Sequence, residues 1–198
     1  MTSALLLLIA GFNIAGAEPQ TPSAPPSAQG IEANCSLSPA DKEANRVLSF
    51  AEFDQQGATP VTARQLGNRN CNAEAASATE DYLLFGPTVT EYERNVLTWH
   101  MAQFLGLDGR EAEAARLIAS SRRGPSEEPD GFDWNTYVIG TWAFLVKDRP
   151  ALDQASATLA AAPGVRNSMN GRVLRRLQKC FTLSYREAYQ SPDCEVPA

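Results

Sequence analysis

The sequence predicts an all-α fold of about seven helices, paired into antiparallel hairpins and stacked as a short array. Three observations predict it. Apolar residues recur at helical spacing over most of the chain beyond Ser38, and no stretch alternates with a period of two for long enough to make a strand. Cap and stop residues punctuate that pattern at hairpin intervals. The tetrapeptide Ala73-Glu74-Ala75-Ala76 returns as Ala112-Glu113-Ala114-Ala115, 39 residues later.

The first element is a leader. Ala4 to Ala10 is a nearly unbroken apolar run, and Ala15-Gly16-Ala17 is a small-x-small cleavage motif, so residues 1–17 read as a secretory signal peptide. No Lys or Arg precedes the run. An uncleaved anchor is the rival reading, but about 14 apolar or small residues fall short of the ~20 that a spanning helix needs. No later stretch is apolar enough to span, so no transmembrane segment is expected once the signal is removed. Residues 18–36 hold Pro19, Pro22, Pro25 and Pro26 among Ser, Thr, Gln and Ala. Such a segment has little to bury and is expected to be a disordered linker. Asn34-Cys35-Ser36 formally matches a glycosylation acceptor and is read as a chance match.

The helical-repeat domain is expected over 37–185. Ser38 is a good N-cap and Pro39 a good first residue, opening a helix expected to run to about Gln56 and stop at Gly57. Further helices are expected over about 60–69 and 72–85, the second ending at Gly86-Pro87. Thr88 or Thr90 caps a long helix to about Leu105, whose stripe is Val89, Tyr92, Val96, Trp99 and Gln103. Asp108-Gly109 turns into an Ala-rich helix over 110–123 with Ala114, Leu117 and Ile118 inward. Asp133 caps a helix from Trp134 to about Lys147, and Asp148-Arg149-Pro150 turns into another that Pro163-Gly164 stops. The last clear helix covers about 167–181, with Val173, Leu174, Leu177 and Phe181 on one face. One more helical turn is expected before Pro192, within a C-terminal tail over 186–198.

The repeat has a looser third copy, in which Ala155-Ser156 falls in line with Ala114-Ala115, 41 residues on. Each unit is an apolar helix, a tight turn and a partner rich in alanine. Small residues at a crossing let two helices approach closely. Trp99-x-x-Ala102, Leu107-Asp108-Gly109, Ala114 and Ile118, followed by Trp142-Ala143, Lys147-Asp148, Ala155, Leu159, Ala162 and Pro163, resemble tetratricopeptide-type repeats over about 60–163. The spacing is near 40 rather than the family's ~34, and the usual Gly and Tyr of the first helix are absent. The resemblance implies a right-handed array whose first helices line a peptide-gripping groove. It would place Trp99, Gln103 and Phe144 on that groove, with Tyr137 beside them. Core filling is the plainer reading of the tryptophans and tyrosines.

The four cysteines are Cys35, Cys71, Cys180 and Cys194. An even count in an exported chain reads as two disulfides. Three connectivities exist; Cys35–Cys71 and Cys180–Cys194 are favoured because each joins neighbours in the chain. The first would pin the N-terminal end of the array and the second would fold the tail back over the other end, where terminal repeats need covering.

Chemistry is sparse. The single histidine, His100, has no histidine partner for a metal and reads first as a packing or surface residue, although it has the makings of a base. Glu127, Glu128, Asp130 and Asp133 cluster around Gly131, but their spacing is not that of an EF-hand and Pro129 interrupts it, so a solvated loop leading to a helix cap is the plainer reading. Arg172, Arg175, Arg176 and Lys179 line the last helix, as a solvated face before a docking patch. A formal net charge of −6 argues against general nucleic-acid binding. No cofactor, metal or catalytic set is expected. The expectation is a periplasmic or secreted module that binds a protein or peptide partner, with an all-α enzyme or small-molecule binder using acidic residues as the alternative.

Overall fold

A computed structural model describes residues 35–124 and 131–197. The expected signal peptide, most of the linker, Asn34 and the acidic residues Glu127, Glu128 and Asp130 lie outside the described residues. Within them the chain is all-helical, with no strand. The α-helices are α1 (Pro39–Asn45), α2 (Ala63–Asn68), α3 (Asn72–Phe85), α4 (Glu91–Leu107), α5 (Glu111–Ser120), α6 (Trp134–Leu145), α7 (Arg149–Ala161), α8 (Val165–Lys179) and α9 (Tyr185–Gln190). A π-helical stretch spans Ala51–Gln56, and a 3₁₀ turn spans Pro192–Cys194.

The helix expected over 39–56 is two pieces. Asn45, buried, donates to the Val61 carbonyl, and Arg46 pairs with Asp81 on α3. These contacts turn the chain after Asn45, and it coils again only at Ala51. The caps follow the sequence closely. Ser38, Thr90 and Ser184 each form a reciprocal box with the acid three residues on, and Asp133 and Asp148 cap α6 and α7.

Neighbouring helices pack in order along the chain, as hairpins α2–α3, α4–α5 and α6–α7 followed by α8. The three hairpin turns are built alike. Cys71, Arg110 and Asp148 donate their amides to the carbonyls of Leu66, Leu105 and Ala143 at 2.8–2.9 Å. The residue before each, Asn70, Gly109 and Lys147, takes positive φ and donates to Gly67, Gly106 and Phe144. This is the Schellman pattern of a helix C-terminus. Gly109 follows Asn70 by 39 residues, and Lys147 follows Gly109 by 38.

That spacing corrects the third copy of the repeat. Ala114 corresponds to Leu152 rather than Ala155, nearly one helical turn away. In the corrected register Ala63, Ala102 and Gly140 coincide, as do Leu66, Leu105 and Ala143, and all are buried. Identity misplaced the third unit because residue sizes were exchanged between its two helices.

The core has two regions. A smaller one holds Phe53, Leu66, Tyr82 and Leu97, with the Phe53 and Tyr82 rings stacked at 4.1 Å. The larger is built on Trp99, Trp134, Tyr137, Phe144, Ile118, Leu152 and Leu174. Both disulfides pair as favoured, Cys35–Cys71 and Cys180–Cys194, with Cα atoms 5.2 and 5.7 Å apart. Among the described residues, no helix is long and apolar enough to cross a membrane.

Candidate functional site

Three of the four residues that the repeat resemblance would place on a groove are buried. Trp99, Tyr137 and Phe144 are all at most 4% exposed, so they present no surface to a peptide. The cover over part of this face is α9. Tyr185 stands 6.0 Å from Phe144 and donates its backbone amide to Glu111, while Arg186 donates to the Leu107 carbonyl and Gln190 to Asn70. Gln103, half-buried, faces the hydroxyls of Tyr185 and Tyr189. Burial pushes all three phenols, Tyr137, Tyr185 and Tyr189, upward. Trp99 packs instead on Trp134 and Tyr137 at 5.3 and 4.9 Å. The basic side of α8 serves the same closure: Arg176 donates to the carbonyls of Ala188 and Ser191 and pairs with Glu195, and Lys179 donates to the Glu195 carbonyl.

A different place brings reactive groups together. On α4, Tyr92, Val96 and His100 lie at successive intervals of four and so share a face. That face meets the π-helical stretch, which carries Asp54 with its side chain 2% exposed. His100 Nδ1 lies 2.7 Å from Asp54 Oδ1. Gln55 donates to the other carboxylate oxygen. Arg64, on α2, donates Nε to the Asp54 carbonyl at 2.6 Å and holds Nη2 3.7 Å from Oδ2. Asp54 is thus a buried carboxylate with three partners, as a buried charge requires. Single-turn π segments recur at functional sites because the wider turn re-aims side chains.

His100 opens onto a cleft of about 240 Å³, lined by Phe50, Gln55, Arg64, Tyr92, Val96, Arg123, Trp134 and Arg166. With Nδ1 committed to Asp54, Nε2 is the ring nitrogen left to the cleft, and it makes no hydrogen bond among the described residues. A carboxylate on one imidazole nitrogen fixes ring orientation and places the proton on that nitrogen, leaving a lone pair on the other. Arg123 lies between aromatic faces, 3.7 Å from the Trp134 ring centroid and 4.2 Å from that of Tyr92. Arg166 lies over Phe132 at 4.4 Å. Both have further contacts of their own, and Arg64 is the cation of the cleft that a ligand's charge would meet.

No family model, curated protein or solved structure matches this chain.

His100 was legible as a lone candidate base. Its partner was not, because 46 residues separate Asp54 from it and no motif links them. Arg64 carried no signal beyond its place in a short helix. The α4 face did: Tyr92, Val96 and His100 continue the helical stripe with a polar end. Asp133, from the acidic cluster, is the N-cap of α6, accepting from Thr136.

Proposed function

We propose that this protein is an exported binding module of helical-hairpin repeats whose His100 cleft holds a small oxyanion attached to an aromatic or apolar body. The observation that carries the reading is the clamp of His100 Nδ1 by buried Asp54, which turns Nε2 toward a cleft of guanidinium and aromatic groups. The Arg64 guanidinium suits the anion, and Tyr92, Trp134 and Phe50 suit the apolar body. Two disulfides support folding in an oxidising compartment and so the secreted or periplasmic assignment. The matching turns at Asn70, Gly109 and Lys147 support the tetratricopeptide-like reading.

Titration calorimetry tests the cleft with two probes, diphenyl phosphate and benzoate, which share a singly charged oxyanion on an aromatic body. At least one is expected to bind. Arg64→Ala, checked for unchanged thermal unfolding, is expected to weaken it about tenfold, the ~1.4 kcal/mol of a lost charge-assisted contact. Arg116→Ala, away from the cleft, is expected to leave it alone. Absence of heat with both probes overturns the reading.

A second reading, closer to a protein-binding module, has its own observation. Ala112, Ala115 and Ala119 on α5 face Trp142, Leu145 and Val146 across an open apolar surface. α9 does not cover this surface. Val146→Asp is expected to abolish capture of a partner if that surface is used, without changing probe binding at His100.

A further inference from the structure

Resting on the oxyanion-binding reading of the His100 cleft, we infer that the cleft hydrolyses small phosphodiesters, with His100 as general base toward water. The inference starts from what the dyad adds to binding. A site that only held an anion would gain from any cation; an imidazole clamped through Nδ1, with Nε2 left to the cleft, is instead placed to accept a proton. Asp54 is what orients the ring. It is buried, and it accepts from Nδ1, so the tautomer with a bare Nε2 is the one held. Gln55 donates to the carboxylate and Arg64 Nε to the Asp54 backbone carbonyl, which keeps Asp54 fixed while Arg64 stays on the cleft wall.

The ligand class follows from asking what needs both groups. A carboxylate beside Arg64 offers no electrophile for an activated water. A phosphodiester is at once the anion that a guanidinium holds and the centre that water attacks. Among the described residues lining the cleft none is a Ser, Thr or Cys, and water serves as the nucleophile. In the step, His100 Nε2 removes a proton from water as its oxygen forms a bond to phosphorus. The bond from phosphorus to one ester oxygen breaks, and the imidazolium returns the proton to that oxygen as the alcohol leaves. The products are a phosphomonoester and an alcohol, with no change of oxidation state. Arg64 stabilises the charge that gathers on the non-bridging oxygens. Asp54 is a positioning residue, acting through the imidazole.

Release of 4-nitrophenol from bis(4-nitrophenyl) phosphate by the full chain tests this, with diphenyl phosphate calorimetry run beside it. Turnover is expected in the unmodified protein, with a solvent deuterium isotope effect above unity. His100→Gln keeps a polar side chain of similar reach and is expected to lower kcat at least about 100-fold, the usual contribution of a general base. Asp54→Asn is expected to lower kcat while KM stays within a few-fold, a split that simple loss of folding does not give. Binding of diphenyl phosphate without any turnover overturns the hydrolysis and leaves the binding reading standing. Absence of diphenyl phosphate binding overturns the hydrolysis, and absence of benzoate binding as well overturns the binding reading too. Turnover that survives His100→Gln overturns the assignment of the base.

Discussion

Arg46 and Asp81 show how one residue pair sets the course of the chain. The guanidinium makes two bonds to the carboxylate, at 2.7 and 2.8 Å, and lies over the Phe85 ring. It is the reason α1 stops where the apolar pattern alone would carry it on. The hydrogen bonds from Arg46 hold the Asp81 carboxyl below the ordinary carboxylate value. A group whose pKa is lowered on folding contributes stability that is complete above its unfolded value, about 4, and is lost as the pH falls through the depressed folded value. Asp81→Asn is therefore expected to lower Tm at pH 7 by more than at pH 3, where the native pair is itself being protonated. An equal loss at both pH values would assign the effect to packing. Asp54 and His100 are the same kind of object, a long-range polar pair. Their residue types were visible in the sequence, but their meeting is a tertiary fact that helical periodicity does not encode.

Helices were the most legible scale, for a physical reason. Caps, glycine stops and the spacing of apolar residues are local, so α3 begins and ends where the sequence places it, and α4 to α8 differ from expectation by a few residues. What escaped was set by contacts between elements: the break after Asn45, and the register of the third hairpin. Gly140 carries that register. A methyl group there would lie 2.6 Å from Leu174 Cδ1 and 3.1 Å from the Ala155 methyl, so α6 meets α7 and α8 through a residue with no side chain. Gly140→Ala sets two effects against each other. Helix propensity favours alanine by ~1 kcal/mol, and overpacking a filled core costs ~1–3 kcal/mol. The net expectation is a loss of about 1 kcal/mol in chemical denaturation. In a Leu174→Ala background the obstruction is gone, and the same substitution is expected to stabilise. A loss of equal size in both backgrounds would mean that Leu174 does not limit the crossing.

At the scale of the molecule, the docking of α9 and the two disulfides belong to one arrangement. A stack of hairpins leaves apolar faces open at its ends and along its first helices. Cys35–Cys71 fastens the chain before α1 to the start of α3, and Cys180–Cys194 closes the 14-residue segment that contains α9. Within that segment, Tyr185 and Ala188 are buried. The sequence made the pairing of the cysteines readable, since each joins near neighbours, but α9 lay in a tail with too few apolar residues to announce its docking. In the chain-entropy account, closing 14 residues is worth ~3 kcal/mol and closing 36 is worth ~4 kcal/mol. The shorter bridge has help: Arg176, Glu111 and Gln190 also hold α9 and its flanking residues. The variant with Cys180→Ala and Cys194→Ala is therefore expected to fold, to lose about 3 kcal/mol in urea, and to exchange the α9 amides faster than those of α4. Because Trp99, Trp134 and the His100 cleft are walled by α4, α6 and the π-helical stretch rather than by α9, probe binding at the cleft is expected to persist in that variant. Loss of probe binding together with α9 protection would instead make the tail part of the site.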